Sequence, residues 1–207
     1  MSSSDSHTKL AGRALMLETP RLLLAGLLPG DQAQVYGLYA AAEVARELAR
    51  LPRPWTMAAA GELIRSAQVG LAQGHGFTLG MFLRDTGAFV GVVALRIPAR
   101  DPGLDEGERA EAGGLGILGY SVLPERWGQG YAGEGAARLV RYAFEELGLS
   151  ALQASPRVGN VASARVLRRL GFTLVDARLE EEPLSGGPPH LVDRYMLQPT
   201  PSALTRE

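Results

Sequence analysis

The sequence predicts one α/β domain, a mixed sheet with helices on both faces. Three observations carry this. Short apolar runs bounded by glycine and proline alternate with stretches of helical spacing, in the order β-α-α-β-β-β-α-β-α-β-β. The chain has 207 residues, the size of one ordinary domain. Of these, 46% are hydrophobic, which is enough to bury a full core.

Residues 1–14 are polar and serine-rich and read as a disordered tail, with the domain at 15–198 and a second tail at 199–207. A first strand is expected at 21–27, ended by Pro29-Gly30. Asp31 is placed to cap a helix through Val35, Leu38 and Tyr39, and residues 43–50 continue as a short helical piece. Pro52 and Pro54 break the chain, and Thr56 can cap a helix over 58–71. Strands at 77–84 and 89–97 flank a hairpin turn at Asp85-Thr86-Gly87. The acidic stretch 98–113 is long for a hairpin connection and reads as a solvated insert, or else as a flap that attracts a cationic substrate.

The central stretch follows. Residues 115–123 form an apolar run stopped by Pro124, then comes the turn Trp127-Gly128-Gln129-Gly130-Tyr131-Ala132, then a helix. Ala136, Leu139, Val140, Ala143, Phe144 and Leu147 recur at spacings of three and four, which defines a buried face. Glycines let a backbone approach a ligand, and the first turn of a helix has N–H groups without partners. Together they suit a phosphate group. Alone, the turn has two readings, an anion site and a packed connection. After Gly148, a short strand is expected at 151–155 and a helix capped by Asn160, with Ala162, Val166, Leu167 and Leu170 on its apolar side. A strand at 172–179, an acidic loop at 180–190 and a last strand at 191–197 complete the domain.

Composition removes several function classes. The net charge of −1 gives no case for binding nucleic acid or an anionic membrane. Cysteine is absent, which excludes disulfides and a thiol nucleophile and fits a cytoplasmic location. Only His7, His75 and His190 are present, widely spaced, so no metal site is expected.

Four segments together carry a resemblance. They are Glu18 to Leu24 (Glu-Thr-Pro-Arg-Leu-Leu-Leu), Leu118 to Pro124 (Leu-Gly-Tyr-Ser-Val-Leu-Pro), Trp127 to Ala132 with Glu134, and Asn160-Val161-Ala162-Ser163 running on to Leu170-Gly171-Phe172. In this order the chain resembles the GNAT superfamily of CoA-dependent N-acetyltransferases, in particular the RimJ/RimL branch that acetylates ribosomal-protein N-termini. The resemblance spans about Leu17 to Leu197. It implies a mostly antiparallel sheet of about seven strands with a V-shaped splay at its centre. Acetyl-CoA as co-substrate would lie in that splay, beside a bulge near Leu123, with its diphosphate on the turn. The cofactor-binding residues implied are Val122, Leu123, Trp127, Gly128, Gln129, Gly130, Tyr131, Ala132, Asn160 and Ser163. The acceptor implied is a small amine or a peptide N-terminus, and a homodimer is admitted because members are often dimers.

The implied chemistry is direct attack of the amine on the thioester in a ternary complex. Val122 or Leu123 would offer a backbone N–H to the developing oxyanion. The glutamate that many relatives carry three positions before the tyrosine is Ile117 here, so the base is sought at Glu182, within Glu180-Glu181-Glu182. The tyrosine acid seven positions after the asparagine is Leu167 here. Ser163 could hydrogen-bond the leaving sulfur instead, or could simply bond back to Asn160. Tyr120 reads as a core residue with its hydroxyl tied to backbone, or else as a substrate-facing one, and Glu134 as a partner within the first helical turn. The losses at 117 and 167 also motivate a second reading, a CoA-binding module of this fold with impaired catalysis.

Overall fold

The computed structural model describes residues 13–48, 51–102, 114–181 and 189–199. Its strands are β1 (Met16–Glu18), β2 (Leu22–Gly26), β3 (Gly76–Leu83), β4 (Phe89–Arg96), β5 (Leu115–Val122), β6 (Ala151–Ala154), β7 (Thr173–Glu181) and β8 (His190–Leu197). The helices are α1 (Gln32–Ala40), α2 (Ala42–Ala45), α3 (Met57–Gln73), α4 (Tyr131–Glu145) and α5 (Val161–Arg169). Among the described residues the sheet has eight strands in the order β1-β2-β3-β4-β5-β6-β8-β7, with β5–β6 the one parallel pair. The expected mixed, mostly antiparallel sheet is therefore present, with one strand more than expected.

Alternation along the strands builds two apolar layers. Leu22 and Leu24 of β2 join Leu79, Met81, Leu139 and Leu167 on one face, under α4 and α5. Leu23 and Ala25 join Val35, Leu38, Ile64 and Phe82 on the other, under α1 and α3. Both ends of α3 obey the capping rules. Thr56 accepts the N–H of Ala59, and Gly74 closes α3 in the left-handed region at φ 73°.

Several expectations change. Asp31 stands at the N-cap position of α1, but its side chain makes no capping bond there. It ends a 3-10 turn, and its carboxylate receives Arg13 Nη2 at 2.8 Å and the Leu28 N–H at 2.8 Å. Arg13, placed by sequence in a disordered tail, is a buried part of the domain, its side chain 5% exposed. Residues 1–12 lie outside those described. Ala162 belongs to the exposed side of α5, since Leu167 alone in that helix is fully buried. Glu180 and Glu181 belong to β7, where they pair with Leu191 and His190, rather than to a loop. Of the acidic stretch 98–113, Pro98–Arg100 forms a 3-10 turn and residues 103–113 are outside the described set.

Gly133 and Gly135, both in α4, have opposite surroundings. A Cβ at 133 would meet only Val166 Cγ1, at 4.0 Å, whereas one at 135 would lie 2.5 Å from Met81 Sδ. Met81 is fully buried, so its side chain would have to repack against its neighbours. Gly133→Ala should therefore raise stability by about 0.5–1 kcal/mol through helix propensity. Gly135→Ala should lower it by about 1–2 kcal/mol through overpacking. Thermal melts of the two variants check the pair, and stabilisation at 135 would contradict the packing.

Candidate active site

The parallel pairing of β5 with β6 covers only Leu115, Gly116 and Ile117 against Ala151, Leu152 and Gln153. Beyond Ile117 the strands part, while β5 stays paired with β4 as far as Val122. This is the central splay. The Leu123 N–H donates to Val90 O at 3.0 Å. Antiparallel bonding alternates, so the Leu118 carbonyl and the peptide groups of Tyr120 and Val122 face the gap. The Val122 carbonyl there accepts the Trp127 indole N–H at 2.7 Å. Two expectations are corrected. The β4–β5 register runs unbroken from Ile117 to Val122, so no bulge appears there, and the shift lies between Met81 and Phe82 on β3 against β4. The Leu123 N–H is engaged by Val90, which leaves Val122 as the amide on the open edge.

At the end of β5, Pro124–Arg126 makes a 3-10 turn, and the chain enters α4 through Gly128 at φ 75° and Gly130 at φ 84°. Both angles favour glycine. The first helical bond runs from the Glu134 N–H to Gly130 O, so the N–H groups of Tyr131, Ala132 and Gly133 have no helical acceptor. Arg21 braces this turn. It donates to Gln129 O at 3.0 Å and to Glu134 Oε2 at 2.7 Å, and its guanidinium lies 4.7 Å from the centre of the Tyr131 ring. Glu134 also accepts Thr19 Oγ1 at 2.6 Å and the Arg21 N–H at 2.9 Å. Burial raises the Glu134 pKa, but the bonds from Thr19 and Arg21 outweigh it and hold the carboxyl below its ordinary 4.5.

A depressed carboxyl stabilises the fold above its unfolded pKa, and that contribution is lost as pH falls through the folded value. Glu134→Gln should therefore melt below the wild type near neutral pH, and the gap should close as pH falls below 4.5. A gap that is constant from neutral pH to acid would show that charge plays no part in the brace.

Across the gap, Asn160 caps α5 by accepting the Ser163 N–H at 3.0 Å, and its amide donates to Glu47 Oε2 at 3.0 Å. Ser163 Oγ does not bond back to Asn160. It meets the Tyr120 hydroxyl at 2.9 Å, and that hydroxyl is 3.2 Å from Ser163 O. Burial pushes the Tyr120 pKa up to about 12, against a lowering by the Ser163 bond, so the phenol keeps its proton at neutral pH.

These parts enclose one cleft of about 740 Å³, within the range of small-molecule sites. Of the residues singled out by sequence, Val122, Trp127, Gly128, Gly130, Tyr131, Ala132, Asn160 and Ser163 line it, and Leu123 and Gln129 do not. Glu180 is exposed on β7 away from the cleft, and Glu182 lies outside the described residues. Leu167 is fully buried in the core and Ile117 is held between β4 and β6, so neither position takes part in proton transfer. The cleft also recruits Glu43, Arg46 and Glu47, which sequence reasoning missed. No local pattern marks them, because α2 reaches the gap only through the tertiary fold.

The family model for the acetyltransferase (GNAT) domain matches residues 21–173. The uncharacterized N-acetyltransferase YoaA of Bacillus subtilis (strain 168) is 29% identical over 157 residues, 76% of this chain and 82% of that protein. RimL, a ribosomal L7/L12 alpha-N-protein acetyltransferase solved with coenzyme A, superposes with a TM-score of 0.69 at 17% identity, over 89% of this chain and 98% of that one. The microcin C7 self-immunity acetyltransferase MccE, solved with acetyl-CoA and AMP, gives a TM-score of 0.68 at 16% identity over 87% and 93%. At these identities the two structures speak to the fold.

Proposed function

The chain belongs to the acetyltransferase (GNAT) domain family, and from that premise we propose an acetyl-CoA-dependent N-acetyltransferase acting on a peptide N-terminus or a small amine. The observation that carries this is the convergence, on one cleft, of the open edge of β5, the N–H groups opening α4 that have no helical acceptor, and the first turn of α5.

Acetyl-CoA supplies an acetyl group activated as a thioester. The chain's residues hold it and balance its charges. The turn at Trp127, Gly128, Gly130, Tyr131 and Ala132 takes the diphosphate on backbone N–H groups. The free peptide edge that starts at the Leu118 carbonyl and runs through Tyr120 pairs with the amides of the pantetheine arm, and Asn160 contacts that arm from α5. The Val122 N–H faces the carbonyl oxygen that gains charge during attack. A neutral amine forms the new C–N bond, the C–S bond breaks with its electron pair on sulfur, and one proton passes overall from nitrogen to sulfur. Ser163 donates a hydrogen bond to that sulfur. Glu182 is the candidate that takes the amine proton.

The acceptor is cationic in its resting form. Among the described residues lining the cleft, the carboxylates are Glu43 and Glu47, both from the segment around α2, and the arginines are Arg46, Arg126, Arg165 and Arg169. An acetyl-acceptor screen tests the proposal, using N-terminal peptides, polyamines, aminoglycosides and amino acids, read by thiol release from acetyl-CoA. Turnover with a cationic amine is expected. Tight CoA binding without turnover on any amine would favour the catalytically impaired module that Ile117 and Leu167 suggest.

A further inference from the structure

We infer that Tyr120 is a positioning residue for the reaction, exchanging its hydrogen bond so that the Ser163 hydroxyl is free to point at the leaving sulfur. The inference rests on the reading of Ser163 given above. It starts from hydrogen-bond counting. A serine hydroxyl has one proton and two lone pairs, and a tyrosine hydroxyl has one proton. Two arrangements fit the distances. In the first, Ser163 Oγ–H donates to the Tyr120 oxygen at 2.9 Å and Tyr120 donates to Ser163 O at 3.2 Å. In the second, Tyr120 donates to Ser163 Oγ, and the serine proton is released into the cleft that both residues line.

Passing from the first to the second requires only rotation of two hydroxyl groups. The Tyr120 proton moves from one Ser163 oxygen to the other, and the serine proton gains the sulfur. No heavy atom needs to move, because the serine backbone is pinned by its N–H bond to Asn160 and the tyrosine backbone by β5. Negative charge building on sulfur favours the second arrangement, so the donor strengthens as the C–S bond breaks. The phenol remains a donor throughout, since burial keeps it protonated.

The test is a double-mutant cycle in steady-state kinetics on the full chain, with an acceptor found by the screen. Ser163→Ala should lower kcat by about tenfold or more. Ser163→Thr, which keeps the hydroxyl, should retain most of the activity. Tyr120→Phe should lower kcat several-fold with little change in the KM for acetyl-CoA, and Tyr120→Phe with Ser163→Ala should be no worse than Ser163→Ala alone. Two results would overturn the inference while leaving the serine reading intact. One is an unchanged kcat in Tyr120→Phe while Ser163→Ala is impaired. The other is a tyrosine effect of equal size with and without the serine hydroxyl, which is what a purely structural role gives. An unchanged kcat in Ser163→Ala overturns the serine reading itself, and the inference with it. Melting curves of each variant confirm that the comparison is between folded proteins.

Discussion

Gly128→Asp binds acetyl-CoA about tenfold to a hundredfold more weakly than Gly128→Asn, at similar thermal stability. The comparison isolates charge. Gly128 has φ 75°, and a Cβ there meets nothing within 4 Å. Asn and Asp tolerate the left-handed region better than other side chains, so the two variants share the same modest strain. They differ by one negative charge at a residue that lines the cleft, in the turn that leads to the N–H groups of Tyr131 and Ala132. Like charges about 4 Å apart repel by about 4 kcal/mol at an effective dielectric near 20. Gly128 is exposed, so solvent screening reduces the loss to the range given. Calorimetry or a ligand-dependent melting shift measures it. Equal affinities for the two variants would remove the diphosphate from this turn.

Asp31→Ala destabilises the fold by about 3–5 kcal/mol, the largest stability effect we expect from one substitution. Arg13 and Asp31 are buried together, with side chains 5% and 7% exposed. The Arg13 guanidinium also donates to Gly26 O at 2.9 Å and lies 4.3 Å from the centre of the Phe82 ring. Removing Asp31 leaves that guanidinium buried without a counter-charge and frees the Leu28 N–H. For a chain of this length the melting temperature should fall by about 10 °C or more. Adding Arg13→Met should restore part of the loss, because the stranded charge goes too. A double variant as unstable as the single one would show that the cost lies elsewhere in the turn.

What the sequence disclosed follows from the range of the interactions. The strand, turn and helix from Leu115 to Glu145 were legible because period, glycine position and helix start are local signals. The Asn160 cap was legible for the same reason. The strand β1 escaped because its three residues are too few to show a period. Glu180 and Glu181 read as loop because β7 is an edge strand, exposed from Thr173 to Arg178, and so lacks apolar alternation. Arg13 read as tail because its counter-charge lies 18 positions away and neither residue advertises the other.

The candidate site divides the same way. The glycine turn, Asn160 and Ser163 announce themselves by spacing. The pairing of Tyr120 with Ser163 spans 43 positions, and that of Glu47 with Asn160 spans 113. Only the fold brings these together. The resemblance filled part of this gap, correctly for the splay and incorrectly for the bulge, because a register shift leaves no mark in a run of apolar residues.

The most direct test is thiol release from acetyl-CoA in the presence and absence of amine acceptors, with the product identified by mass. The account predicts release that depends on the amine, an N-acetylated product, and loss of both at limiting acetyl-CoA in Gly128→Asp but not in Gly128→Asn. Acetyl-CoA that binds and raises the melting temperature, yet is never turned over with any amine, would contradict it.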